Sequence, residues 1–202
     1  SVLSPSVDPE ICAVTADSRQ VRPGTLFFAL RGAKQDGAAF IPQAVANGAA
    51  AVIADHPAQA DIPVLLTPDA KRLLALTAVT LAGPQPTCIA AVTGTNGKSS
   101  TAEFLRQIWT LQGFKAASLG TLGLIANVDV PPPPSLTTPD PVSLAKTLAS
   151  LAQYGVDHVA LEASSRGLEP RLRDGVALNA AGFSNLTRDH LDYHGTISAY
   201  RE

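Results

Sequence analysis

Charge is scarce in this sequence: Asp, Glu, Lys and Arg make up 16% of its 202 residues against 46% hydrophobic, and they balance to a formal −2. With no Lys/Arg run and no basic stripe interleaved with aromatics, nothing favours a nucleic-acid partner, and none is expected. Cysteine is scarce too. Cys12 and Cys88 lie far apart and form no C-x-x-C pair, which excludes a disulfide framework or cysteine-rich metal cluster and leaves buried, reduced thiols as the simpler expectation. No stretch approaches the roughly 20 apolar residues of a membrane span, and the opening "SVLSPSVDPE" has neither a basic start nor an apolar core. The expectation is a cytoplasmic protein with no membrane partner. No internal repeat is visible.

What is present is alternation of strand and helix signals. Residues 25–30 ("TLFFAL") and 50–54 ("AAVIA") read as strands, with a short helix over 40–47 ending at Gly48 between them. An apolar run at 62–66 follows, and then helical spacing over 69–81 with Asp69 as N-cap. "GPQP" at 83–86 interrupts the pattern, so the boundary is set there and the domains are read as 1–84 and 85–202. The second half continues with a strand at 88–92, a helix at 99–112 closed by Gly113, and a candidate strand at 116–119. A stiff, exposed polyproline stretch at 131–134 comes next, and then a helix that Asp140-Pro141 opens and Leu144, Leu148 and Leu151 carry to Gly155. A strand from Val156 ends in Glu162, and another from Ala177 ends in Asn185. The fold class is α/β, with a mostly parallel sheet in the second domain and ligands at the C-terminal ends of its strands. The chain stops at Glu202 inside a starting helix with no stop signal, which reads as a fragment.

"AVTGTNGKSSTAEFL", residues 91–105, carries the densest chemistry. The Walker pattern G-x-x-x-x-G-K-[ST] asks for glycine five residues before Gly97, and Val92 stands there instead. The context nevertheless suits a phosphate loop: an apolar strand, a turn over 93–97, and a helix that begins at the lysine. Phe104, Leu105, Ile108, Trp109 and Leu111 are spaced like its apolar face. This order aims backbone N–H groups and the positive end of a helix dipole at one spot. Lys98 would then reach the outer phosphates of a nucleotide and Ser99 would hold a magnesium ion, while Gly94 and Gly97 permit the turn and the close approach. The plain alternative is a solvated lysine on an ordinary turn; the flanking strand, the helix and the second glycine favour the nucleotide.

Glu162 ends an apolar run of the same expected sheet. A carboxylate there either holds magnesium, directly or through water, or faces solvent, and position alone weighs the two equally. "NLTRDHLDYHG", residues 185–195, offers two acids, two histidines and an asparagine, without a zinc template such as H-E-x-x-H. Alone it reads as a helix cap built by Asp189 with solvated histidines; beside Glu162 and the loop it becomes part of a shared metal and phosphate site. "SLTTPD" and "ASSRGL" are hydroxyl-rich loops that serve turns as readily as phosphates. Arg19, Arg22 and Arg31 either meet a diphosphate or decorate a surface.

Together these motifs resemble the Mur ligase family, the ATP-dependent amide-forming enzymes of peptidoglycan synthesis. The family's shortened T-G-T-N-G-K-[ST]-[ST] loop is matched from Thr93 to Ser100, so Val92 in place of glycine is a family trait. "TTPDP", "EASSRGL" and "NLTRDHLDYHG" resemble the branch that adds the third amino acid to UDP-N-acetylmuramoyl-L-alanyl-D-glutamate, and residues 17–54 resemble its UDP-binding N-terminal domain. The resemblance covers nearly the whole chain. It implies a small α/β UDP-binding domain over 1–84, followed by an incomplete P-loop ATP-binding domain over 85–202. It implies ATP at Gly94, Thr95, Asn96, Gly97, Lys98, Ser99 and Ser100, with Mg2+ near Ser99, Glu162 and His190. Lys98, Glu162 and His190 are then the catalytic candidates. Ser18 and the turn Ala33-Lys34-Gln35 would contact the uridine nucleotide, and Thr137, Thr138 and Ser164 the muramoyl-peptide, with Asp189 and Asn185 organising the site. The chain departs from the family at Arg166, where His or Gln is usual, and at Pro170 and Leu172, where a Gln and an Arg commonly contact substrate; Arg171 or Arg173 is the candidate replacement.

The implied reaction is transfer of the ATP γ-phosphate to the D-glutamyl side-chain carboxylate, and then attack of the third amino acid's amine on the acyl phosphate. Meso-diaminopimelate is expected over L-lysine, and a monomer is expected. The family's carbamylated lysine and its amino-acid-selecting domain lie beyond Glu202, so this chain alone is not expected to complete ligation. Two alternatives stand beside this reading. One is a folylpolyglutamate synthetase-like ligase, which lacks an N-terminal domain of this type; the other is a non-catalytic nucleotide-binding module.

Overall fold

The computed structural model describes residues 9–32, 35–131, 140–163 and 174–185. The chain divides into two compact units, Ser1–Gly83 and Pro84–Glu202.

In the first unit, β1 (Ala13–Thr15), β2 (Thr25–Ala29), β3 (Ala49–Ala54) and β4 (Val64–Leu66) form an all-parallel sheet in that order. Sequence reading opens this sheet at residue 25 because a three-residue strand is too short to show a period of two. Phe27, Phe28 and Ala29 are all fully buried, so β2 is covered on both faces, as parallel sheets require. Helix α1 (Ile41–Ala46) sends Ile41 and Ala44 into a cluster with Val21, Phe27, Ala29, Ala49, Val52 and Ala54. Helix α2 (Ala70–Ala82) lies against β1 and buries Ala70, Leu74, Ala75 and Ala78. Asp69 takes the N-cap position of α2 but makes no side-chain capping bond. Its ψ of 26° is not the extended backbone that aims an N-cap carboxylate at the first turn. Cys12 corrects the expectation of a buried thiol: it is exposed, just ahead of edge strand β1, with its Sγ 3.5 Å from the carbonyls of Pro23 and Gly24. Cys88 is half-buried and also free.

Among the described residues, the second unit carries a five-stranded sheet in the order β7-β6-β8-β5-β9. Its strands are β5 (Cys88–Thr93), β6 (Ala116–Gly120), β7 (Gly123–Ala126), β8 (His158–Glu162) and β9 (Ala180–Phe183). All pairings are parallel except β6 with β7, a hairpin that the sequence reading does not foresee. The two sheet faces differ in side-chain size. In register, Ile89, Val159 and Ala117 face helix α4 (Pro141–Gln153), where Leu144, Leu148 and Leu151 complete a buried cluster. Each fully buried leucine there contributes roughly 1.5–3 kcal/mol. Asp140 caps α4 as expected: its ψ is 156° and its Oδ1 accepts from the amides of Val142 and Ser143 at 2.9 and 3.1 Å.

The opposite face presents Ala90, Ala160 and Ser118, small residues over which helix α3 (Lys98–Leu111) lies close to β6, β8 and β5. Ala102, Leu105, Arg106 and Trp109, at i, i+3, i+4 and i+7, are among its buried or half-buried positions. Only part of the predicted apolar face is therefore covered: Phe104, Ile108 and Leu111 are 62%, 51% and 88% exposed. The tie between Glu103 and Ser118, described below, fixes which side of the helix meets the sheet. Among the described residues, no helix is long and apolar enough to cross a membrane.

Candidate functional site

The C-terminal ends of β6, β8, β5 and β9 lie side by side, and each delivers polar groups to the same edge. At β5, Val92 is buried within the strand, one residue before its end, in register with Glu162 on one side and Gly182 on the other. The strand therefore runs through the position of the missing Walker glycine, and the turn starts only at Gly94. Gly94 and Gly97 adopt φ of +129° and +81°. Gly97 is the N-cap of α3, with no side-chain capping bond and no acid in the first turn. The first-turn amides and the positive end of the dipole thus remain for an anion. Lys98 folds back over the loop, its Nζ donating to the carbonyls of Gly94 at 2.7 Å and Thr95 at 3.0 Å.

The loop is bracketed from β9. The Thr95 amide donates to the Asn185 carbonyl at 2.9 Å, and the Asn96 amide to Asn185 Oδ1 at 3.0 Å. Asn185 Nδ2 and Ser184 Oγ return bonds to the Asn96 carbonyl at 3.1 and 2.7 Å. A Cβ on Gly94 would run into Ser184 Oγ and the Asn185 backbone. Asn185 thus organises the loop; Ser184 does so equally and carries no separate signal in the sequence.

Glu162, at the end of β8, reaches the first turn of α3. Its Oε2 accepts from Ser99 Oγ at 2.9 Å and from the Thr121 amide at 2.8 Å, while its Oε1 accepts from Thr121 Oγ1 at 3.0 Å. One turn further along α3, Glu103 accepts from Arg106 Nε and Ser118 Oγ at 2.8 Å each and from Gln107 Nε2 at 3.0 Å. The Arg106 bond, working against burial and helped by Gln107 and Ser118, holds the Glu103 carboxyl down to about 2. The two carboxylates pin α3 to the sheet at successive turns.

In the first unit, Ser18 is buried. It donates from Oγ to Gln43 Oε1 at 2.7 Å and accepts at its carbonyl from Asn47 Nδ2 at 2.9 Å. Beside it Arg19 pairs with Asp17 through two bonds of 2.9 and 2.8 Å, chiefly responsible for holding the Asp17 carboxyl at about 2. Gln35 is exposed and its carbonyl accepts from the Gly32 amide at 3.0 Å. Nearby, His56 lies 2.5 Å from Asp55 through Nδ1 and 3.0 Å from Asp36 through Nε2. Arg22 and Arg31 are exposed.

The structure therefore brings Gly94, Thr95, Asn96, Gly97, Lys98, Ser99 and Glu162 together, with Ser100 on the same first turn of α3. Ala33, Lys34, Thr137, Thr138, Ser164, Asp189 and His190 lie outside the described residues, as do Arg166, Pro170, Arg171, Leu172 and Arg173. Among the described residues, no group of three or more His, Cys, Asp or Glu side chains could hold a metal. Thr121 escapes sequence reasoning; a Gly-Thr pair at a strand end is too common a turn signal to mark it.

Comparison with known proteins gives the family. Residues 92–202 match the Mur ligase middle domain, and residues 10–107 match the family described as Mur ligase family, catalytic domain. The chain is 53% identical over 193 residues to the UDP-N-acetylmuramoyl-L-alanyl-D-glutamate–2,6-diaminopimelate ligase of Agrobacterium fabrum, across 95% of this chain and 39% of that protein. It is 52% identical over 203 residues to the protein of the same name from Caulobacter vibrioides, across 97% and 42%. The chain thus spans about two fifths of the length of these curated relatives. A solved structure bearing the same enzyme name superposes with a TM-score of 0.82 at 34% identity, over 94% of this chain and 39% of its own. The MurF ligase from Thermotoga maritima in complex with ADP shares the fold, with a TM-score of 0.62 at 23% identity over 96% and 42%. With more than half of its residues inside the middle-domain match, the chain belongs to the Mur ligase family.

Proposed function

We propose that this chain supplies the UDP-substrate and nucleotide sites of an ATP-dependent ligase that adds the third amino acid to UDP-N-acetylmuramoyl-L-alanyl-D-glutamate. The observation that carries this reading is the meeting of Ser99 and Glu162 at 2.9 Å, beside Lys98, at the uncapped N-terminus of α3. A hydroxyl and a carboxylate at a phosphate loop are hard oxygen donors, and they fit magnesium, which is held by one or two carboxylates together with substrate phosphates and water. When bound, the ion neutralises phosphate charge. Ser99 and Glu162 would hold it, with His190 as the further ligand that the family resemblance implies.

The α3 amides and the loop from Gly94 to Ser100 orient the phosphates, and Lys98 leaves the carbonyls of Gly94 and Thr95 to meet the outer ones. A carboxylate is a poor acyl donor. The γ-phosphate therefore passes to the D-glutamyl side-chain oxygen as its bond to the β-phosphate breaks, leaving ADP and an acyl phosphate. The amine of the third amino acid attacks the acyl carbon, loses a proton and expels inorganic phosphate. Thr137, Thr138 and Ser164 are the proposed muramoyl-peptide contacts. In the first unit, Ser18 and the turn Ala33-Lys34-Gln35 are the proposed uridine contacts. The names of the relatives at 52–53% identity support 2,6-diaminopimelate as the amino acid. A cytoplasmic monomer is part of the same proposal.

Phosphate release by the full-length protein tests this reading. ATP, Mg2+ and UDP-N-acetylmuramoyl-L-alanyl-D-glutamate are supplied with meso-diaminopimelate in one reaction and L-lysine in another. Release with meso-diaminopimelate is expected; a folded protein silent in both reactions overturns the reading.

A further inference from the structure

The Glu162 carboxylate is held by more than Ser99. Strand β6 lies next to β8, with Leu119 opposite Leu161, so the turn after Gly120 lands beside the end of β8. There Thr121 offers both of its local donors, its amide to Oε2 at 2.8 Å and its hydroxyl to Oε1 at 3.0 Å. Two donors from one residue on the two oxygens of one carboxylate fix its plane as well as its position. Thr121 is itself held in place, because the β6–β7 ladder pairs Gly120 with Gly123 and Leu119 with Leu124 across the turn. The neighbouring glycine makes this approach possible: a Cβ on Gly120 would strike the Glu162 carboxylate and its Cβ.

We infer that Thr121 is a positioning residue that keeps the Glu162 carboxylate aimed at the first turn of α3 for a divalent cation shared with the nucleotide phosphates. This rests on the proposed nucleotide site. Ser99 Oγ now donates its hydrogen to Glu162. A hydroxyl can meet a cation with a lone pair and still donate its hydrogen, so the single Ser99 bond leaves the carboxylate free to rotate and the two Thr121 bonds fix its plane. Partners of this kind typically change metal affinity by about 10–100-fold when removed.

The test measures ADP affinity calorimetrically on the full-length protein, in excess Mg2+ and in EDTA, for the wild type, Thr121→Val and Thr121→Ser. Valine keeps the β-branched shape and removes the hydroxyl; serine restores it. The expected result is a Mg2+-dependent gain in ADP affinity about tenfold smaller in Thr121→Val than in wild type. Affinity in EDTA should be unchanged, the thermal midpoint of the free protein close to wild type, and the gain recovered in Thr121→Ser. A wild-type gain that Thr121→Val leaves intact, or a valine loss equal in EDTA and in Mg2+, overturns the role of Thr121 alone. A wild type that gains nothing from Mg2+ overturns the nucleotide-site reading beneath it.

Discussion

Gly94 and Gly97 both hold positive φ in the same loop, yet alanine should affect them very differently. At Gly97, φ is +81° and nothing lies within 4 Å of the position a Cβ would take, so the only cost is the backbone conformation, about 1–2 kcal/mol. At Gly94, φ is +129° and the added carbon meets Asn185 O at 2.8 Å and Asn185 N at 2.9 Å, both backbone atoms that cannot rotate away. The end of β9 must then move. It would surrender the bonds from the Thr95 amide, the Asn96 amide and Ser184 Oγ, at about 1 kcal/mol each. Added to the strain, Gly94→Ala should cost about 4–5 kcal/mol, a large part of the 5–15 kcal/mol typical of a domain. Trp109, the single tryptophan, lies on α3 and reports on the second unit by fluorescence during urea unfolding. Equal destabilisation by the two substitutions would refute the claim that β9 is clamped onto the loop.

The other expectations concern charge and catalysis. The Glu103 carboxyl is held at about 2 in the folded state against an ordinary 4.5, so its contribution is present above about pH 4.5 and fades as pH falls toward 2. Glu103→Gln should lower stability by about 2 kcal/mol at neutral pH, and its thermal midpoint should fall less than that of wild type between pH 5 and pH 2; parallel curves would show that Glu103 is not the group responsible. In the full-length protein, Lys98→Ala should reduce ADP formation by about 10^2–10^3-fold while leaving affinity for the UDP substrate unchanged. Loss of both would undo the proposed division of labour between the two units.

Much of this architecture is legible because it is repetitive. Buried parallel strands read as apolar runs, and Asp140-Pro141 and Gly113 mark helix ends whatever surrounds them. The phosphate loop is legible because its glycines and lysine are contiguous. What escapes is set by contacts between distant residues. The spacing of α3 is right, but which stripe is buried depends on Ala90, Ala160 and the bond from Ser118 to Glu103, none of which periodicity along α3 can know. Asp69 and Asp140 look alike as N-caps, and only the backbone angle separates the one that caps from the one that does not. Thr121 is silent because its meaning comes from β6 lying beside β8, a neighbour relation established some forty positions away in the sequence.

The clamp of Ser184 and Asn185 on the phosphate loop also sets an order of events during synthesis. The bond from Asn96 to Asn185 closes across 89 positions of chain. At about 5–20 residues per second, several seconds pass between the emergence of the loop and the arrival of the strand that braces it. Throughout that interval the glycines and the lysine are present in a chain whose loop is still unbraced. Nucleotide affinity should therefore appear late and abruptly, when β9 docks, and a nascent chain stopped short of Ser184 should bind ADP far more weakly than one released beyond Asn185.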